Sequence, residues 1–283
     1  MEDPSDYFPV LGIQEFSENR SQGCNMLFHE LEGARSIDEP HKHDFFIVIL
    51  FERGEGVHVI DFEEYSIEGR QVHMVFPEQV HQWEMKPETM GYQLMISREW
   101  FENFLSSLRF SASYYQKHPV FGVSEKVYQE LLQEFRAIQQ ALSEKEVFWE
   151  LIRIRTQLIG LMLSKTVEMT FSDVENYHAN PIISKFRTLV DIHFKEERSV
   201  SFYAEKLNVT ANYLNVLCRK NLKMAASSLI QDRILLESKR LLKGSEMTVK
   251  DIVYELGFYD HASFSKFFKA QTGISPTQFR EQR

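Results

Sequence analysis

The sequence predicts an α+β protein of two domains. The first half reads as a small β-barrel followed by helices. The second reads as an all-α domain with two helix-turn-helix units joined by a linker helix. Three observations carry this. Residues 8–96 are short apolar or alternating runs punctuated by turns. From Glu99 the apolar spacing changes to three and four. Within residues 180–283 a helical pattern recurs after 49 or 50 residues. A chain of 283 residues has room for two such domains.

In the first half, Phe45–Phe51 is a run of strand formers, and Glu52–Gly56 turns the chain. Val57–Phe62 alternates, Glu68-Gly69-Arg70 turns again before Val72–Phe76, and Gly91 precedes Tyr92–Ile96. Glu99–Leu108 then reads as helix. Ser124 caps a long amphipathic stretch with Val127, Leu131, Phe135, Ile138 and Leu142 on one side. A second stretch, Val147–Val167, follows Ser143. These two helices either pack on the barrel or form a dimer interface, and in the second case charged residues at Leu131 and Phe135 are expected to leave a folded monomer. The polar segment 168–180 is the expected linker, dividing a sensory and dimerisation domain (1–167; barrel 20–96, helices 99–167) from a second domain (181–283).

Composition narrows the function. Hydrophobic residues make up 43% and charged residues 26%, ordinary for a globular chain. The longest clean apolar run, Phe45–Phe51, is far below the ~18 residues of a membrane span, so no membrane partner is expected. The start, Met1-Glu2-Asp3, has no basic-then-apolar segment and predicts no secretory leader. Two distant cysteines, Cys24 and Cys218, exclude a disulfide framework and a four-cysteine zinc site, and suit a reducing cytoplasm. The net charge of −9 hides an asymmetry. Residues 180–283 carry 17 basic and 11 acidic side chains, a net of +6, which leaves −15 on the rest. A basic segment on an acidic body suits a polyanion-binding module joined to something else, or a basic solvated face.

The repeat sharpens the first alternative. Val200, Ala204, Leu207, Asn208 and Val209 recur as Val249, Val253, Leu256, Gly257 and Phe258, and Leu214 and Leu217 recur as Phe264 and Phe267. In each copy a short helix ends at a residue that tolerates positive φ, Asn208 or Gly257. A capping residue follows, Thr210 or Asp260, and then a second helix with apolar residues on its inner side. That is a helix-turn-helix, twice, joined by a helix over about Ala225–Lys243.

These residues resemble the DNA-binding domain of the AraC/XylS transcription regulators. The second copy carries the resemblance most specifically, in Asp251-Ile252-Val253-Tyr254-Glu255-Leu256-Gly257-Phe258, Ser263-Phe264-Ser265-Lys266-Phe267-Phe268-Lys269, Gly273-Ile274-Ser275-Pro276 and Phe279-Arg280. The first departs from the family at Cys218, where Phe is usual, and at Lys223, where Gly is usual. The resemblance implies two recognition helices entering successive major-groove faces of double-stranded DNA, about 34 Å apart. By position in the family pattern, Asn212, Asn215, Val216, His261, Ala262, Ser265 and Lys266 face bases, and Thr210, Arg219, Ser263 and Lys269 face phosphates. The chemistry agrees: Asn can pair with adenine, Val and Ala can touch the thymine methyl, and Lys can reach guanine. Tyr213, Leu214 and Leu217 face in or flank the core. Leu256, Phe258, Phe264, Phe267, Ile274 and Phe279 are assigned to the core.

The first half, with His41-Lys42-His43, Gly54 to Gly56 and Pro77-Glu78-Gln79-Val80-His81, resembles a cupin barrel, the common sensory domain of that family. Alternate strand residues face one way, so His41 and His43 can converge with His81. The glutamate of metal-binding cupins is missing, since positions 46–49 are Phe46, Ile47, Val48 and Ile49. No metal and no cofactor are therefore expected. His43, Phe46, Phe76, Trp83 and Tyr92 are the candidate lining of a pocket for a small-molecule effector. The aromatic segment 104–121 is either cover for the barrel or part of a signal path.

The reading is a cytoplasmic, sequence-specific transcription regulator, homodimeric and not an enzyme, with RNA polymerase as a further partner where it activates. The alternatives are a metal-dependent cupin enzyme fused to a DNA-binding domain, a methyl acceptor using an activated cysteine, and a constitutive regulator with no effector.

Overall fold

The computed structural model describes residues 10–16, 25–110, 112–171, 181–245 and 247–281. They fall into two compact units, 10–171 and 181–281. Cys24 and residues 172–180 of the expected linker lie outside the described residues. Residues 168–170 are helical.

The first unit holds two five-stranded sheets. One has the order β1 (Val10–Leu11), β3 (Arg35–His43), β8 (His81–Met85), β5 (Gly56–Ile60), β6 (Glu63–Ser66). The other has the order β10 (Val120–Gly122), β7 (Gln71–Val75), β4 (Phe46–Arg53), β9 (Met90–Ile96), β2 (Met26–Glu32). Central β4 pairs antiparallel with both β7 and β9. Alternation sends Ile47, Ile49 and Phe51 inward, where they pack with Ile60, Val75, Trp83, Met85 and Met95 from both sheets. Phe46, on the outward phase of β4, stacks on Phe101 and Phe104 of α1 (Arg98–Leu105) and meets Phe76 edge-on. A sheet buried on both faces reads as an unbroken apolar run, which is why β4 is fully buried over Phe46–Phe51.

Ser97 and Ser124 cap α1 and α3 (Glu125–Leu142) by accepting backbone N–H bonds from Trp100 and Val127. Ser143 closes α3, and α4 (Trp149–Thr170) starts at Phe148 without a side-chain cap. The aromatic segment packs into this unit. Phe104, Phe110, Tyr114 (in α2, Ala112–Lys117), Tyr115 and Phe121 are all buried within this unit, and Tyr115 shares a 2.7 Å hydrogen bond with Ser164 of α4.

Leu131 and Phe135 are fully buried in this unit's own core, so of the two alternatives α3 packs on its own domain, and these two residues are not interface residues. α3 spends its apolar stripe on its own domain. The apolar stripe left uncovered is on α4, where Leu151, Ile154, Leu158 and Leu161 are exposed at spacings of three, four and three.

The second unit is helical throughout its described residues: α5 (Pro181–His193), α6 (Val200–Lys206), α7 (Ala211–Leu222), α8 (Ala226–Gly244), α9 (Val249–Glu255), α10 (His261–Thr272) and α11 (Pro276–Glu281). One hydrophobic core serves both helix-turn-helix copies. Leu214 and Cys218 of α7, Ile230 and Ile234 of α8, and Phe264 and Phe268 of α10 belong to the same cluster. Leu256, Phe258 and Phe264 are buried as assigned, while Phe267 and Phe279 are half-buried against that core.

Asn208 and Gly257 both take positive φ, 55° and 69°, as the repeat requires. So does Lys223, φ 58°, at the end of α7. A lysine there strains a position that glycine occupies freely. Lys223→Gly is expected to stabilise this unit by about 1 kcal/mol, read as a higher urea midpoint with an unchanged slope.

Candidate nucleic-acid interface and ligand cavity

The two candidate recognition helices are built alike. Thr210 accepts the Tyr213 N–H at 3.1 Å and Asp260 accepts the Ser263 N–H at 2.7 Å, which fixes where α7 and α10 begin. The bond from Ser263 holds the Asp260 carboxyl below its ordinary range. Inward positions follow helical spacing: Leu214, Leu217 and Cys218 on α7, Phe264 and Phe268 on α10. What remains faces solvent. Asn212, Val216 and Arg219 are exposed on α7, and His261, Ala262, Ser263, Lys266 and Lys269 on α10. Ser265 is half-buried, with its hydroxyl 3.3 Å from His261 Nδ1.

Asn215 donates its amide N–H to the Ala211 carbonyl at 3.2 Å and accepts the Ala226 N–H at 3.1 Å. Each end of its amide thus makes one hydrogen bond within the unit, and the oxygen satisfies a backbone N–H at the start of α8. Tyr213 flanks the core and is 47% exposed, one residue outside the 214-217-218 stripe. Tyr259, 93% exposed in the turn before α10, also joins this surface. A lone exposed aromatic in a turn leaves no periodic signal in a sequence.

The turn of the second copy is clamped by the loop after α5. Arg198 donates to the Leu256 carbonyl at 2.6 Å and sits over the Phe258 ring, 3.6 Å from its centroid. Lys195 pairs with Glu255. Arg233 ties α8 to α5 through Asp191 at 3.0 Å and also pairs with Glu237 at 2.9 Å. Burial pushes the Cys218 thiol up to about 11. A nucleophilic methyl acceptor needs a thiolate, so Cys218 has the wrong environment for that alternative.

In the first unit a cavity of about 320 Å³ opens between the sheets. His43 and Trp83 line it, as anticipated. So do His41, His81, Gln93 and Arg35. Phe46, Phe76 and Tyr92 do not. Phe46 and Phe76 face α1, and Tyr92 lies on the outer face of β9, donating to Glu52 at 3.4 Å and receiving a bond from Arg136 at 3.3 Å. Where both faces of a strand are apolar, composition does not set the phase of alternation.

The inner face carries an unexpected chain of imidazoles. His43 Nε2 lies 2.7 Å from His81 Nε2, and His81 Nδ1 lies 3.0 Å from His58 Nε2. His58 Nδ1 lies 2.9 Å from His73 Nδ1, and His73 Nε2 lies 3.1 Å from Gln71 Oε1. Burial lowers His43 and His73 to about 3 and pushes His58 and His81 well below the ordinary value, with neighbouring imidazoles adding to the shift at His43, His58 and His81. All four are therefore uncharged at neutral pH. His43 Nδ1 and Trp83 Nε1 are buried with no hydrogen-bond partner. His41, His43 and His81 also bring ring nitrogens within 4.8 Å of one another, a metal-sized grouping without a carboxylate.

Comparison with known proteins matches each unit to a family. The family described as "AraC-like ligand binding domain" matches residues 26–154, and that described as "Helix-turn-helix domain" matches 203–282. Relatives include the HTH-type transcriptional activator RhaS of Enterobacter sp. (strain 638), 23% identical over 244 residues, covering 86% of this chain and 87% of that one. RhaS of Escherichia coli O81 (strain ED1a) is 23% identical over 250 residues, with the same coverage. Among solved structures, the C-terminal domain of AraT from Geobacillus stearothermophilus is 28% identical, with a TM-score of 0.36, covering 37% of this chain and 87% of that one. No helix among the described residues is long and apolar enough to cross a membrane. With a ligand-binding domain ahead of a helix-turn-helix domain, and the two matches together spanning most of its length, the chain belongs to the AraC family of DNA-binding transcription regulators.

Proposed function

We propose that this regulator acts in the cytoplasm as a homodimer, reads a promoter through α7 and α10, and activates transcription in response to a small molecule held between its sheets. The observation that carries the reading is the pair of capped helices with exposed faces, fixed on one core. Asn212, Val216 and Arg219 on the first and His261, Ala262, Ser265 and Lys266 on the second are the base-facing and backbone-facing groups. Thr210, Ser263 and Lys269 contact phosphate. Lys266→Ala is expected to weaken operator binding by about 1–3 kcal/mol and to relax sequence preference at one position if it reads a base. Footprinting of the purified protein on genomic fragments at two salt concentrations tests the whole reading. Discrete sites that survive higher salt support it, and only diffuse, salt-sensitive occupancy counts against it. The relatives named as activators favour activation, through contact with RNA polymerase.

For the dimer, the uncovered stripe of α4 favours a second copy laid antiparallel. That arrangement sets Ile154 against Leu161 of the other copy and Glu150 against its Lys165, whereas a parallel pair sets like charges together. Ile154→Glu with Leu158→Glu is expected to give a folded monomer by sedimentation. A dimer that persists moves the interface elsewhere. An effector shifts the regulator only so far as its affinity differs between the DNA-competent state and the other.

A further inference from the structure

The imidazole chain has a direction, and one residue sets it. Gln71 Oε1 accepts the backbone N–H of Glu68 at 2.8 Å, so this atom is the amide oxygen and can only accept from His73. His73 therefore carries its single proton on Nε2 and offers Nδ1 as an acceptor. His58 must donate from Nδ1, which leaves its Nε2 to accept from His81 Nδ1. His81 Nε2 then accepts from His43 Nε2. The proton of His43 is thereby spent inside the chain. Its other nitrogen, Nδ1, is a bare lone pair, buried and unpartnered on a residue that lines the cavity. On the same lining, Trp83 Nε1 is a donor with no acceptor. Among the described residues, the cavity lining includes Arg35 and no carboxylate.

We propose that Gln71 and the four histidines it aligns form a specificity device. The chain holds His43 Nδ1 as an acceptor, so the effector is a small organic molecule, neutral or anionic, that brings a hydroxyl or N–H donor to His43 and an acceptor to Trp83. This rests on the effector reading above and names the chemistry of that site. Gln71 is a positioning residue that acts through three imidazoles. A ligand that only accepts must reverse all four tautomers and break the His73–Gln71 bond, and a buried polar group left unpaired makes that costly.

Long-range proton–nitrogen spectra of the full chain, labelled at histidine, read each tautomer directly. Protons on Nε2 of His43 and His73 and on Nδ1 of His58 and His81 are expected. A proton on Nδ1 of His43 overturns the proposal. Gln71→Glu keeps an acceptor and should preserve the pattern, whereas Gln71→Leu should scramble it. With 4-methylphenol and 4-methylanisole as matched probes, the phenol is expected to bind the native chain at least about tenfold tighter, equivalent to about 1.4 kcal/mol. The ratio should persist in Gln71→Glu and fall to near unity in Gln71→Leu. Equal binding of the probes by the native chain, or no binding of the phenol, overturns the donor requirement. Stoichiometric zinc that moves the His43 proton to Nδ1 and shifts His41 and His81 makes the cluster a metal site and also overturns it. The expected tautomers together with full operator occupancy that no ligand alters would leave the chain's direction intact and defeat the effector reading alone.

Discussion

Lowering the pH from 7 to 5 should unfold the sheet-rich unit while the helical unit stays folded. The cause is the buried imidazole chain. Folded, His43 and His73 titrate near 3, and His58 and His81 are held well below their ordinary value, all chiefly by burial. Unfolded, each takes up a proton near pH 6.5. Because the folded values are depressed, the unfolded state binds more protons between about pH 3 and 6.5. Stability is full above 6.5 and falls as the pH drops through that window. At pH 5 His43 and His73 each cost about 2 kcal/mol, and the depressed His58 and His81 add to that loss, against a domain stability of about 5–15 kcal/mol. All three tryptophans, Trp83, Trp100 and Trp149, lie in this unit, so their emission reports it alone. Loss of the native emission by pH 5, with substantial helical circular dichroism retained, is the expected result. Unchanged emission between pH 7 and 5 would show that the imidazoles are not held uncharged. In the helical unit, Asp251 and Asp260 have lowered carboxyl values, so they lose stability only at lower pH.

Gly257→Ala should be the most damaging single substitution in the DNA-binding unit. Gly257 has φ 69°, where an L side chain is strained, and an added Cβ would lie 2.1 Å from the Lys195 carbonyl oxygen. That oxygen is backbone in the loop whose Arg198 also holds the Leu256 carbonyl, so it does not swing aside. Strain and clash together are expected to cost about 3 kcal/mol or more, lowering the melting temperature of this unit by at least about 12 °C. Asn208, the equivalent residue of the first copy, already carries a side chain at φ 55°, so Asn208→Ala should cost far less. Equal effects at the two positions would rule out the Lys195 contact as the cause.

The sequence revealed the helical unit well, because its signals are local. Positive-φ residues, capping side chains and inward apolar positions recur at fixed offsets in both copies. The sheet-rich unit was legible only in part. β4 and β9 announce themselves as apolar runs, whereas β3, with Arg35, Ser36, Asp38, Glu39 and Lys42 among nine residues, carries no strand pattern. Its inward positions include Ile37 and two histidines, and the imidazole chain that His43 joins draws on three other strands. Polar residues belong to a core only through such partners, and partners distant in sequence leave no periodic trace. His58 and His73 do sit at alternating positions among apolar neighbours, Val57 and Val59 or Val72 and Met74. That was the available sign of a buried polar file. The cavity lining failed at Phe46 and Phe76 for the converse reason: neighbours on both sides are apolar, so neither phase is favoured.

The clamp of Lys195 and Arg198 on the second turn bears on how promoters can evolve under this regulator. Both reading heads share one core and are bridged by α8, so the protein behaves as a rigid ruler with a fixed helical phase. A promoter that gains or loses about five base pairs between its two half-sites turns one of them to the far side of the duplex. With both helices fixed on that core, the mismatch falls on the DNA as twist and bend. Base changes within a half-site adjust affinity in small steps, whereas spacer insertions act as all-or-none switches.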